Sequence, residues 1–318
     1  MAKIPPWLRG SALVTIALAM LGVLLASVDL AEVAELVSSV SLGWLVVLTV
    51  LSLSAWAVLP TWRWHAILGQ MGHRVSFGRL MVARIGAQPL KIIIPFRGGE
   101  AFRALWLRSA VGVPLLRGLA SILFDLFLVA LSQAVFLGVG IAILGESAGV
   151  QVVPALLLIG LVVTLAARPL HEFGLSVLAR FRPAFAARVE PLVHGFLRFP
   201  MHTKLRLLGL ALLVELGECC SLVACFRLVG VEVPLASVFA LLPLVVGATL
   251  LPVTIGGFGT RELAIVWLFR EWGSKESLTG AALLFATIEF VLPALIGLAF
   301  TGRFNREMAL EPPETTPE

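Results

Sequence analysis

Long apolar runs alternate with short polar stretches along this chain, and the runs exceed the strands and one-sided helices of a soluble globule. They cover about Gly10–Val28, Leu42–Leu59, Leu119–Ile143, Val152–Ala167, Leu207–Val229 and Leu278–Phe300. At 1.5 Å per residue, about 20 helical residues cross a hydrocarbon core of about 30 Å, so the six runs predict six full transmembrane helices. Pro60 is expected to end the second span, where Trp62, Arg63, Trp64 and His65 form the aromatic and basic cluster of an interface. His73 is read as interfacial too. Leu30–Val40 is either a short amphipathic helix on the membrane surface or a plain connecting turn.

Two more apolar stretches are broken in the middle. In one, about 76–108, Pro95, Gly98, Gly99, Glu100 and Arg103 interrupt the run; in the other, about 235–272, Pro252, Gly256, Gly257, Gly259, Arg261 and Glu262 do so. Proline ends the incoming helix, because it lacks an N–H, and the glycines permit a tight turn. In each break an arginine stands four residues after the second glycine of the pair. The arm after the first break, Gly98–Arg108, spans only about 16 Å, half a bilayer, so the chain must return to the side it left. Helix, break, helix at both places predicts two re-entrant helical hairpins. The predicted fold is an all-α polytopic membrane protein of about six full spans and two opposed hairpins, an inverted-topology repeat.

Charge fixes the orientation. Of the 24 Lys and Arg residues, all but Arg227, Arg261, Arg270 and Lys275 fall on one side of this arrangement. Cytoplasmic flanks collect basic residues, so both termini are placed in the cytoplasm of a multi-pass plasma membrane, the inner membrane in a bacterium. A single transmembrane domain, 1–302, then includes a cytoplasmic amphipathic loop at about 168–206, with 303–318 as a disordered cytoplasmic tail. The loop is either a lipid-headgroup patch or a solvated positive flank.

Composition closes off other classes. With 59% hydrophobic and 14% charged residues the chain is too apolar for a soluble protein. The formal charge of +5 belongs to membrane flanks rather than to nucleic-acid binding. Cys219, Cys220 and Cys225 share one apolar segment and have no metal-ligand or disulfide spacing. No nucleotide-binding glycine loop occurs, and no metal, cofactor or catalytic residue is predicted.

The breaks carry the chemistry. Each opens a helix N-terminus inside the membrane beside an arginine, which together make an anion site. Arg103, Arg261, Glu262, Gly98, Gly99, Glu100, Gly256, Gly257, Gly259, Thr254 and Lys91 are the candidate substrate-binding residues, with Pro95 and Pro252 making the breaks. Asp125, Glu215, Glu218 and Glu289 lie in spans as counter-charges or proton carriers for coupling. The alternative is architectural: Glu100 pairs with Arg103, Glu262 with Arg261, and the breaks pack the bundle. A membrane lipid with an anionic headgroup fits the anion site.

The two motifs resemble those of the transmembrane region of lysylphosphatidylglycerol synthases and the related stand-alone flippase-like membrane proteins, over most of 10–300. Pro252, Gly256, Gly257, Gly259, Arg261 and Glu262 match the second signature, and Pro95, Gly98, Gly99, Glu100 and Arg103 the first. The resemblance implies movement of an anionic or phosphate-linked lipid between leaflets: a phospholipid, an aminoacylated phospholipid or a polyprenyl-phosphate-linked lipid. It argues against lipid aminoacylation, as no soluble transferase domain follows. A membrane-embedded transferase, or a non-catalytic subunit of an envelope glycolipid synthesis system, is the alternative. A homodimer or a lipid-modifying enzyme is the expected protein partner.

Overall fold

The computed structural model describes residues 22, 25–26, 29–93, 98–145, 168–184, 186–187, 190, 199–250, 254 and 257–308, and all regular structure among them is helical. In order these helices are α1 (Leu30–Ser38), α2 (Leu42–Gln70), α3 (Phe77–Gly86), α4 (Gln88–Ile93), α5 (Gly98–Trp106), α6 (Leu115–Leu144), α7 (Arg168–Phe181), α8 (Met201–Leu228), α9 (Leu235–Leu250), α10 (Thr260–Leu268) and α11 (Lys275–Met308). Among the described residues α2, α6, α8 and α11 are long and apolar enough to cross a membrane. They answer to four of the six predicted spans; those at 10–28 and 152–167 lie almost wholly outside the described residues.

Capping sets several starts. Asp29 Oδ1 accepts the Ala31 N–H at 2.8 Å to open α1, which settles the 30–40 stretch as a helix. Ser274 Oγ accepts the Ser277 N–H at 3.1 Å to open α11.

Pro60 does not end the second span. Helix α2 runs through it to Gln70, because a π turn over Ser54–Val58, closed by the Leu59 N–H on the Ser54 carbonyl, shifts the hydrogen-bond register just before the proline. Helix α11 has the same device: a π turn over Thr287–Val291, closed by Leu292 N–H on Thr287, followed by Pro293. The last helix also continues to Met308, through Arg303 and Arg306 and into the stretch predicted as tail. The first arm of the first broken stretch is split at Ala87 into α3 and α4.

The packing is reciprocal. The long helix that follows the first break, α6, lies along α9, the arm that enters the second break; α11, which follows the second break, lies along α3 and α4, the arms that enter the first. Small residues let the backbones meet. A Cβ on Gly140 of α6 would stand 2.3 Å from the Ala240 backbone nitrogen of α9. A Cβ on Gly297 of α11 would stand 2.7 Å from the Ile85 carbonyl oxygen, and one on Gly86 of α3 2.8 Å from Phe304 Cβ. Elsewhere the long helices turn apolar side chains outward, including Leu42, Trp44, Val50, Leu51, Leu123, Ile143, Leu295 and Leu298, as lipid-facing helices do.

Candidate functional site

Helix α5 carries Arg103 in its last turn into a buried charge cluster. Pro95 lies outside the described residues, as do the side chain of Lys91 and the surroundings of Gly98 and Gly99; Gly98 opens α5. One turn on, Glu100 forms an ion pair with Arg103. Arg103 also lies 4.0 Å from Asp125 Oδ2 of α6, and its guanidinium stacks over Trp64 of α2 at 4.8 Å from the ring centre. Trp64 is held in turn, since its Nε1–H donates to Ser121 Oγ at 3.0 Å.

Two further arginines reach the same aspartate. Arg63 of α2 donates from Nε to Asp125 Oδ1 at 2.6 Å, and Arg84 NH1 of α3 stands 3.8 Å from Oδ2. Arg84 also donates from Nε to the Trp56 carbonyl at 3.1 Å. Arg63, Arg103 and Asp125 are at most 2% exposed and Arg84 is 8% exposed, so these four side chains are buried, while Glu100 is partly exposed. Sequence reasoning placed Arg63 at an interface and Arg84 on an arm without a role.

The second break is built differently. Pro252 and Gly256 lie outside the described residues. Gly257 and Gly259 turn the chain with φ of +78° and +82°, a region that glycine enters freely. A Cβ on Gly257 would stand 2.9 Å from Thr249 Cβ and 3.1 Å from an Arg261 nitrogen, so the backbone must pass close here. Buried Thr254 meets Thr260 hydroxyl to hydroxyl at 2.8 Å across the turn. Glu262 Oε2 reaches back to accept the Gly259 N–H at 2.6 Å, capping α10.

Arg261 is buried face-on against Phe290, its guanidinium 3.3 Å from the ring centre, with Glu262 Oε1 4.0 Å away. The other charges acting on it are Glu218 and Glu289, both acidic. Glu289, in the π turn of α11, accepts the Ser52 hydroxyl of α2 at 2.8 Å; Glu215 accepts from Gln133 Nε2 of α6 at 2.5 Å. The predicted site residues therefore gather into two sets. Arg103, Glu100 and Asp125 stand together with Arg63 and Arg84; Arg261, Glu262, Glu218 and Glu289 form the other set.

The described residues around the two arginines are opposite in charge balance. Arginines predominate around the first, carboxylates around the second. Among the described residues no cluster of three or more His, Cys, Asp and Glu has the arrangement of a metal site.

A family model described as the lysylphosphatidylglycerol synthase TM region matches residues 10–297. No curated protein matches the chain.

Proposed function

The chain belongs to the lysylphosphatidylglycerol synthase TM region family, a family of integral membrane proteins of lipid metabolism and transport, and on that premise we propose that it carries an anionic or phosphate-linked lipid between leaflets by alternating access. The observation that supports this reading best is the pair of short helices that follow the two motifs, each carrying a buried arginine: Arg103, 1% exposed, in the last turn of α5, and Arg261, 4% exposed, in the first turn of α10. Buried guanidiniums are costly in a membrane unless paired or used, and here each is carried on the short helix that follows one of the motifs.

In this reading the breaks are re-entrant hairpins entering from opposite faces of a plasma membrane, within six full spans. The reciprocal seating of α6 on α9 and of α11 on α3 and α4 couples them, since a shift of one half moves the arm of the other. Headgroup phosphate meets the arginines while the acyl chains stay in lipid.

The test is reconstitution. Purified protein in liposomes that carry fluorescent phosphatidylglycerol in both leaflets is treated with an external quencher. Loss of signal beyond the outer-leaflet share, absent from protein-free liposomes, is the expected result. Quenching limited to the outer leaflet would oppose lipid transport by the protein alone.

A further inference from the structure

We propose that Arg63, Arg84 and Arg103 form a seat for the singly charged phosphodiester of a lipid headgroup, and that Asp125 occupies the seat when the headgroup is absent. This rests on the transport reading for its setting and deepens it by naming the anion and its ligands.

The three guanidiniums come from α2, α3 and α5 and converge on one carboxylate of α6. Among the described side chains the cluster holds three positive charges against two negative ones, Asp125 and Glu100. Among these described side chains one positive charge is left over in a buried setting, where an unbalanced ion is unfavourable. Donors are left over as well: Arg63 NH1, Arg84 NH1, and Nε and NH1 of Arg103 reach no acceptor among the described residues.

Geometry says what would fill the gap. Asp125 is at hydrogen-bond distance from Arg63 alone, at 2.6 Å, while its approaches to Arg84 and Arg103, 3.8 Å and 4.0 Å, are too long. A carboxylate presents two oxygens in one plane. A phosphodiester sets two charged oxygens, each with several lone pairs, and two ester oxygens around a larger tetrahedral centre, so it can reach donors that arrive from three helices, and its single charge balances the surplus. The planar arginine fork suits phosphate oxygens. The second break is a poorer seat for an anion, because Arg261 lies against Phe290 among Glu262, Glu218 and Glu289. Asp125, already seated on Arg63, is then a competitor for the headgroup.

The test uses purified full-length protein titrated with dihexanoylphosphatidylglycerol, a soluble phosphodiester lipid, in a calorimeter. Wild type binds it, and replacement of Arg63, Arg84 or Arg103 by Gln weakens binding by about tenfold or more. Arg84→Lys and Arg103→Lys keep the charge and lose the fork, and are expected to weaken binding by about threefold. Unchanged binding in both lysine variants overturns the seat. Asp125→Asn removes the competitor and tightens binding. Should that variant not fold, Arg63→Gln combined with Asp125→Asn restores the surplus of one positive charge and is expected to bind at least as tightly as Arg63→Gln alone; weaker binding overturns the competitor role. Displacement of the lipid by inorganic phosphate at equal concentration assigns the seat to free phosphate and overturns the lipid assignment. Equal binding of dihexanoylglycerol, which has no phosphate, overturns the anion. Binding of this pattern without transport in liposomes retains the seat and removes the proposed function, whereas transport with binding unaffected by the arginine variants does the reverse.

Discussion

Arg84 donates to the carbonyl of Trp56, and that carbonyl stands four residues before Pro60, whose nitrogen has no hydrogen to give it. The proline thus leaves an acceptor inside α2 that an ordinary helix would have used, and a buried arginine from α3 takes it. This bond draws the first arm of the broken segment onto α2 and turns the rest of the guanidinium toward Asp125.

Replacing Arg84 with Met is expected to cost about 1–3 kcal/mol of stability, since it strands the Trp56 carbonyl. The same replacement in a Pro60→Ala background restores a backbone N–H four residues on and is expected to cost less. Unfolding in detergent of the two single variants and the double variant measures the coupling. Additive losses would mean that the proline and the arginine act independently.

Much of this arrangement was legible in the sequence, and the part that was not has a physical cause. Apolar run length located α2, α6, α8 and α11, and the glycines located the turn at Gly257 and Gly259 ahead of α10, because these are local properties of the chain, while residues 94–97 of the first break lie outside the described residues. Pro60 misled, since a proline signals a helix end unless the register slips first, and the slip over Ser54–Val58 depends on tertiary partners. Once α2 was stopped at Pro60, Arg63 became an interfacial residue instead of the one that meets Asp125. The opposite charge balance around the two arginines was hidden for a similar reason: Glu218 and Glu289 act electrostatically on Arg261 from α8 and α11, Glu218 being far away in sequence.

Close helix contact makes a sharper structural prediction. Gly140→Ala places a methyl group where the Ala240 backbone now lies, and backbone cannot rotate aside, so destabilisation of about 1–3 kcal/mol or more is expected. Gly209→Ala, on α8 with open space around it, is the matched control and is expected to be neutral or slightly stabilising. Equal melting temperatures for the two variants would mean that α6 and α9 do not pack at this point.

Orientation can be checked without any transport assay. Cysteines introduced at Ser147 and Lys275 are expected to react with an impermeant maleimide in intact cells, and those at Arg188 and Arg306 only after permeabilisation. Labelling of the Arg188 position from outside would invert the proposed topology of the basic segment.

The second arginine decides between a transport role and architecture. Arg261 makes no short hydrogen bond with Glu262, whose nearer oxygen is 4.0 Å away, and Glu262 is already engaged through Oε2 by the Gly259 N–H. Its guanidinium also lies over the ring of Phe290, a contact that tolerates displacement by an anion better than a bidentate salt bridge does. Replacing Arg261 with Ala is therefore expected to abolish lipid transport while the protein stays folded, because the Glu262 cap on α10 survives. Replacing it with Lys is expected to restore only part of the rate, since an ammonium keeps the charge and loses both the fork and the stacking plane. The decisive variant replaces Arg261 with Met and Glu262 with Gln together. Glutamine retains an acceptor for Gly259, and the pair leaves neither buried charge without its opposite. If Arg261 contacts the headgroup, this double variant folds and transports no better than Arg261→Ala. Transport at the wild-type rate in the same liposomes would mean that Arg261 serves only to balance its neighbours, and that the second break is architecture.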